Sequence, residues 1–363
     1  MKSLPSLLFI LFCVLITPAL TAQNESDAGQ AKEKKKPKLL FENTEPLNIT
    51  LMGNVRDLLS DRGDNPENHK MTLVYEDGPG VTDTEQVSMK TRGHFRKSSE
   101  NCTYPPLLIS FDSTITSSTF GKNDKMKLVM PCGNDNYVTR EYLVYKIYNL
   151  LTPYSLKARL VKLTMKDTKK NKTYDEMIGV LLENEKKMAK RNNETIIKRK
   201  LSPDKLQQEA YLRMAMFQYL IGNTDWSIQF QQNIILMASQ SNPEPLCVAY
   251  DFDHSGMVDA PYAQPAEALQ MANVRERRYR GYCITDLSVY DPLIKQFNDL
   301  KKDIYALYTD NKLIDDKYRS STLKYFDDFY ETINNPEAFK KDFLYPCDKN
   351  GTGNVIIKGL QKD

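Results

Sequence analysis

The sequence predicts an α+β protein of two lobes: a strand-rich N-terminal lobe with one helix, then a helix-rich C-terminal lobe with one β insertion. Three observations carry this. Apolar residues alternate with polar ones in short runs through the first third of the chain. Residues 205–221 place Leu206, Ala210, Met214, Phe217 and Ile221 on one helical face, and 292–329 continue in helical rhythm. Between those helical stretches lie two apolar runs, 234–237 and 246–250, each bordered by polar residues.

The chain opens with Met1-Lys2, an apolar run to about Leu20, and Thr21-Ala22. A basic start, a short apolar core and small residues at its end describe a secretory signal peptide over 1–22, too short for a membrane span. Residues 23–45 are polar and lysine-rich and read as a disordered linker. Residues 46–185 form the first lobe, 186–345 the second, and 346–363 a short tail. An exported protein follows, secreted or otherwise extracytoplasmic, with no membrane span in the mature chain.

In the first lobe, strands are expected at 48–52, 71–75, 87–91, 107–111, 126–130, 158–165 and 177–182, with a Gly-Pro-Gly turn at 78–80. A helix is expected from Arg140 to Leu151, capped by Thr139 and stopped by Pro153. In the second lobe Gly222 ends the helix over 205–221.

Formal net charge is +3, which gives no global field for nucleic acid. Three histidines and no Cys-x-x-Cys spacing argue against zinc, and neither a His-Glu-x-x-His helix nor a Gly-x-Ser-x-Gly elbow occurs. Cys13 leaves with the signal, so five cysteines remain. Cys247 lies in an apolar run and is the expected buried thiol, leaving Cys102–Cys132 and Cys283–Cys347 as preferred disulfides. Asn-x-Ser/Thr acceptors stand at Asn24, Asn48, Asn101, Asn171, Asn193 and Asn350.

Chemistry concentrates in a few places. Gly222-Asn223-Thr224-Asp225 follows a long helix, Asn233 opens one apolar run, and Asp251-Phe252-Asp253 closes the next. A carboxylate to take a hydroxyl proton, with an amide oxygen and a second carboxylate for Mg²⁺, is what phosphoryl transfer requires. The same residues also serve as turn formers and caps. Asp251-Phe252-Asp253-His254-Ser255-Gly256 begins like a calcium loop, but its twelfth position is Tyr262 rather than Glu. Lys125 and Lys127, two apart, share one strand face, either solvated or aimed at a phosphate, with Glu141 in the following helix as a partner. Arg92-Gly93-His94-Phe95-Arg96-Lys97 is a basic turn in which Arg92 could fork onto phosphate. Arg275-Glu276-Arg277-Arg278-Tyr279-Arg280 reads as a solvated charged segment rather than an acidic-substrate site.

Together these pieces resemble the CotH kinase family of atypical secreted protein kinases. Arg92-Gly93 is similar to that family's early Arg-Gly turn, and 139–143 to its helix after the lysine strand. Gly179-Val180-Leu181-Leu182-Glu183 resembles its Tyr-Gly-x-Tyr-x-Leu-x-Glu strand. Asp225 with Asn233, and Tyr250-Asp251-Phe252-Asp253, resemble its catalytic and metal segments. The resemblance spans about residues 85–260.

It implies an atypical two-lobed protein-kinase-like fold, ATP, and Mg or Mn. Asp225 becomes the catalytic base, and Asn233, Asp251 and Asp253 the metal set. Lys127 or Lys125 becomes the phosphate-positioning lysine paired with Glu141. Arg92 lies on the cofactor side, and Glu183 near the nucleotide hinge. Serine or threonine of an exported protein is the implied acceptor. Two departures stand out. Asp225 and Asn233 are eight apart rather than the about five usual in kinases. Tyr104-Pro105-Pro106 occupies the place of the family's Pro-Lys-Lys. A catalytically inactive scaffold or surface interaction protein, and a calcium-stabilised structural protein, are the alternatives.

Overall fold

The computed structural model describes residues 40–76, 80–111, 119–121, 124–239 and 244–357. The expected signal peptide, most of the expected linker and the Gly-Pro part of the turn at 78–80 lie outside them. The end of the linker does not behave as one. Leu40 is buried, its N–H donates to Thr119 O, and its carbonyl accepts from the Arg159 guanidinium. Packing of one leucine with paired backbone groups ties this stretch to the first lobe.

The first lobe is a closed sheet. Its strands are β1 (Leu47–Gly53), β2 (His69–Glu76), β3 (Thr82–Thr91), β4 (Leu107–Phe111), β5 (Lys125–Val129), β6 (Ala158–Asp167), β7 (Lys172–Thr173) and β8 (Met177–Leu182). The order is β1-β2-β3-β4-β5-β8-β6, with β7 appended to β6. A parallel pairing of β1 with β6, Leu47 opposite Val161 through Gly53 opposite Asp167, joins the two ends into a barrel. This differs from the open sheet of an ordinary kinase N-lobe. Closure removes the exposed edges that strands rich in Val, Leu and Met would otherwise present. Inward residues alternate as the sequence predicts: Leu47, Ile49 and Leu51 of β1 meet Leu73, Met89, Ile109, Leu128 and Leu163 inside.

Strand β8 is a continuous apolar run, and β6 begins buried on both faces, because a second core covers their outer side. Leu181 and Val161 face the barrel interior, whereas Val180, Leu182 and Leu160 face a second core. That core forms around α2 (Asp135–Leu151). The helix starts earlier than expected: Asn134 is the cap, accepting from Asn136 N–H, and Thr139 is buried inside the helix. Nearly every face of α2 is buried, Glu141 included.

The second lobe contains α3 (Glu185–Arg191), α4 (Gln208–Ile221), α5 (Asp291–Asp299), α6 (Lys301–Thr309), α7 (Asp316–Asn334) and α8 (Pro336–Phe343). A small antiparallel sheet joins β9 (Thr195–Ile197), β10 (Ile234–Ala238) and β11 (Leu246–Ala249). A short helix, α1 (Val55–Ser60), follows β1 in the barrel lobe. Gly222 stops α4 in the left-handed region at φ 65°, its N–H donating to the carbonyls of Gln218 and Tyr219. A Cβ there would lie 2.2 Å from Tyr325 Oη, so no side chain fits. Cysteine pairing follows the expectation: Cys102–Cys132 and Cys283–Cys347 are disulfides, and Cys247 is free and buried. Burial pushes the Cys247 thiol up to about 12, which makes it inert. Among the described residues no helix is long and apolar enough to cross a membrane.

Candidate active site

Strands β10 and β11 set the site by register. Ile234 lies opposite Ala249, and Tyr250 N–H donates to Asn233 O, so Asn233 and Asp251 emerge at the same end of the ribbon. Phe252, fully buried against Tyr145 of α2 and Phe217 of α4, anchors the turn between its two aspartates. Asp251 N–H donates to Tyr145 Oη at 3.0 Å. Asn233 and Asp251 both take positive φ, 53° and 63°, a conformation non-glycine residues avoid without compensation.

Asp225 is carried to the same place. Asn223 bonds Gln218 through its amide N–H and accepts from Asp225 N–H through Oδ1. Asn233 Nδ2 donates to both the carbonyl and Oδ2 of Asp225, at 2.9 and 3.0 Å. The eight-residue spacing therefore does not separate the two side chains. The added residues fold into a turn closed by Ser227 and Gln232, leaving Phe230 exposed at its tip. With its N–H groups spent on Asp225, the Asn233 amide keeps its oxygen for another partner.

Asp253 is satisfied from two sides. Tyr262 Oη donates to its Oδ2 at 3.1 Å, and Arg96 lies 3.7 Å away. Tyr262 thus reaches the loop from its twelfth position as a donor, the opposite of a calcium-ligating glutamate. Arg96, from the short 3-10 turn after β3, also bonds Glu141 at 3.2 Å and Met130 O at 2.5 Å. Its Nε finds no partner among the described residues.

The expected lysine–glutamate pair is not formed. Glu141 is held by Arg96, while Lys127 pairs with Glu185 at the start of α3 and sits 5.0 Å from the Tyr250 ring. Of the two lysines, Lys127 is the one whose charge acts on Asp251, together with Arg92 and Arg96; Lys125 stands exposed at the strand end. The Glu183 carboxylate is committed within the protein. Both its carboxylate oxygens are taken by Arg191, and Oε2 also accepts Lys157 N–H, so it braces β8 against α3. The α3 arginine lies beyond the strand pattern that singled out Glu183, so this partner was not legible from that pattern.

Carboxyl protonation follows from burial. Burial pushes Asp225 up to about 6, with Asp253 and Asp251 adding to it and His254 and Arg280 opposing. Burial and then Asp253 raise Asp251, against Arg92, Arg96 and Lys127. Burial raises Glu141 to about 8, against the pull of Arg96. Burial is the largest cause of all three shifts, and the neighbouring carboxylates add to it.

Sequence reasoning missed Arg96, His254 and Arg280. The 275–280 run is not solvated: Arg280 is turned inward to Thr224 O, Trp226 O and Val355 O, and Arg277 to Leu220 O and Tyr325 O. Arg280 thereby grips the loop on both sides of Asp225. A run of arginines interleaved with a tyrosine, rather than lysines, was the available signal.

Among the described residues no group of three or more His, Cys, Asp or Glu side chains is arranged to hold a metal ion by itself. Mg²⁺ does not need such a cage, since it is held by one or two carboxylates with waters and substrate phosphates. Buried Asp251 and the Asn233 oxygen, which has no partner among the described residues, fit that requirement; Asp253 Oδ2 is already engaged.

No protein-family model and no curated protein matches this chain. Among solved structures it is similar to the crystal structure of a Helicobacter pylori proinflammatory kinase, CtkA, at 11% identity and a TM-score of 0.39, covering 69% of this chain and 95% of that one. At that score the likeness carries no argument.

Proposed function

We propose that the protein is an exported phosphotransferase that uses ATP with Mg or Mn and moves the γ-phosphoryl group to a serine or threonine hydroxyl of another exported protein. The observation that carries this reading is the convergence of Asp225, Asn233 and Asp251, from three separated segments, onto one buried cleft where Arg92, Arg96 and Lys127 act on Asp251. Asp225, near 6, is matched to accept a hydroxyl proton close to neutral pH. Asn233 orients that carboxylate through Nδ2. Asp251 and the Asn233 oxygen would hold the divalent cation, which when bound neutralises phosphate charge. Arg92, Arg96 and Lys127 supply positive charge to Asp251. Arg280 fixes the loop that carries the base.

A second reading, a scaffold without transfer, is favoured by the engagement of Lys127 with Glu185. Mature protein is incubated with γ-labelled ATP, Mn²⁺ and extracytoplasmic proteins. The first reading expects incorporation in wild type and its loss in Asp225→Asn and Asp251→Asn. Nucleotide-induced thermal stabilisation without incorporation supports the scaffold, and absence of both ends the enzymatic reading.

A further inference from the structure

We infer that Arg96 is the positioning cation of this cleft, bridging Glu141 of the barrel lobe to Asp253 of the second lobe, and that the Cys102–Cys132 disulfide belongs to the site because it holds Arg96 there. The catalytic part of this inference rests on the kinase reading; the bridge itself does not.

Arg96 is almost fully buried, and so are Glu141 and Asp253. A guanidinium costs a great deal to bury and is retained only where carboxylates and carbonyls receive it. Here it meets a carboxylate on α2, a carboxylate after β11, and the carbonyl of Met130 at the end of β5. It is therefore a cation in contact with charged groups of both lobes. The structure assigns the strand lysine elsewhere, to Glu185, which leaves the α2 glutamate to Arg96.

In the turn that presents Arg96, Phe95 is exposed and meets the rings of His254 and Tyr262. The shape of the turn is held by other means. Cys102 N–H bonds Ser98 O, and Asn101 Nδ2 bonds Phe95 O. Arg62 reaches across to the carbonyls of Cys102 and Thr103. The disulfide then joins Cys102 to Cys132, two residues beyond the Met130 carbonyl that receives Arg96. Both the arginine and its carbonyl acceptor are thus tied to one covalent link. Closing a loop of 30 residues between them restricts the unfolded chain and the local openings of this turn alike.

The test is amide hydrogen exchange on oxidised mature protein, without nucleotide. Four forms are compared: wild type, Arg96→Met, Cys102→Ser/Cys132→Ser, and the combination. The inference expects faster exchange in each variant at 251–262 across the cleft, as well as at 95–102 and 130–134. It expects at least tenfold faster exchange at 251–262 in either variant, with no further increase when the two are combined. Arg96→Lys, which keeps a charge but loses the fork, falls between and guards against a misfolded Met variant. Changes confined to 95–134, or additive effects at 251–262, overturn the bridge. If wild type transfers phosphate, Arg96→Met and the cysteine pair variant lower kcat by similar factors and are not additive. If wild type transfers nothing, only the kinase reading fails, and the exchange result still decides the role of Arg96.

Discussion

Two arginine-rich stretches, 92–97 and 275–280, look alike in sequence and do different work. In the first, Arg96 meets carboxylates: burial works against its charge, but Tyr262, Glu141, Asp253 and Asp251 outweigh burial and hold its proton more firmly. In the second, Arg280 meets backbone carbonyls, and burial pushes it down to about 10, still protonated at neutral pH. A guanidinium among full charges sets the electrostatics of a cleft. A guanidinium among dipoles sets the shape of a loop. The difference lies in the partner, and arginine alone does not reveal it.

The largest effect expected from breaking this contrast is in the second stretch. Arg280→Ala strands the carbonyls of Thr224, Trp226 and Val355, and should cost at least ~3 kcal/mol of stability, read by urea unfolding. It should also remove transfer, because Asp225 loses its fixed loop.

Next comes Asp225→Asn. Folding raises the Asp225 pKa from 3.8 to about 6, so the native state holds this proton more tightly than the unfolded chain. The stability it contributes is complete below 3.8 and is lost as pH rises through about 6. Asparagine avoids that loss. The variant should be more stable than wild type above pH 7 by on the order of 1–2 kcal/mol, though inactive, and the gap should close in acid; thermal unfolding across pH reads both.

Tyr262→Phe removes one donor from Asp253 and leaves Arg96 in place, so it should cost about 1 kcal/mol and leave the fold intact by circular dichroism. The smallest effect belongs to Lys125→Ala, within about 0.5 kcal/mol and silent in nucleotide binding, whereas Lys127→Ala should weaken Mn²⁺–ATP binding in a thermal-shift titration.

Strands with strict alternation and the long apolar-faced α4 were legible because period alone specifies them, and the disulfides because Cys247 lies in a run that reads as core. Barrel closure was not legible. It depends on the parallel meeting of β1 and β6, more than 100 residues apart, and no local pattern encodes it. In the site, the convergence of Asp225 and Asn233 could be anticipated from their flanking elements. The exchange of partners that gives Glu141 to Arg96 and Lys127 to Glu185 could not, since either cation satisfies either carboxylate on charge alone.

A divalent cation with nucleotide is expected to displace the protons that burial favours on Asp225 and Asp251. Calorimetric titration of Mn²⁺–ATP at pH 6, in buffers of different ionisation enthalpy, measures protons released on binding. Net release is expected from wild type and little or none from Asp225→Asn/Asp251→Asn. Tight binding with no proton release, or equal release from the double variant, contradicts it.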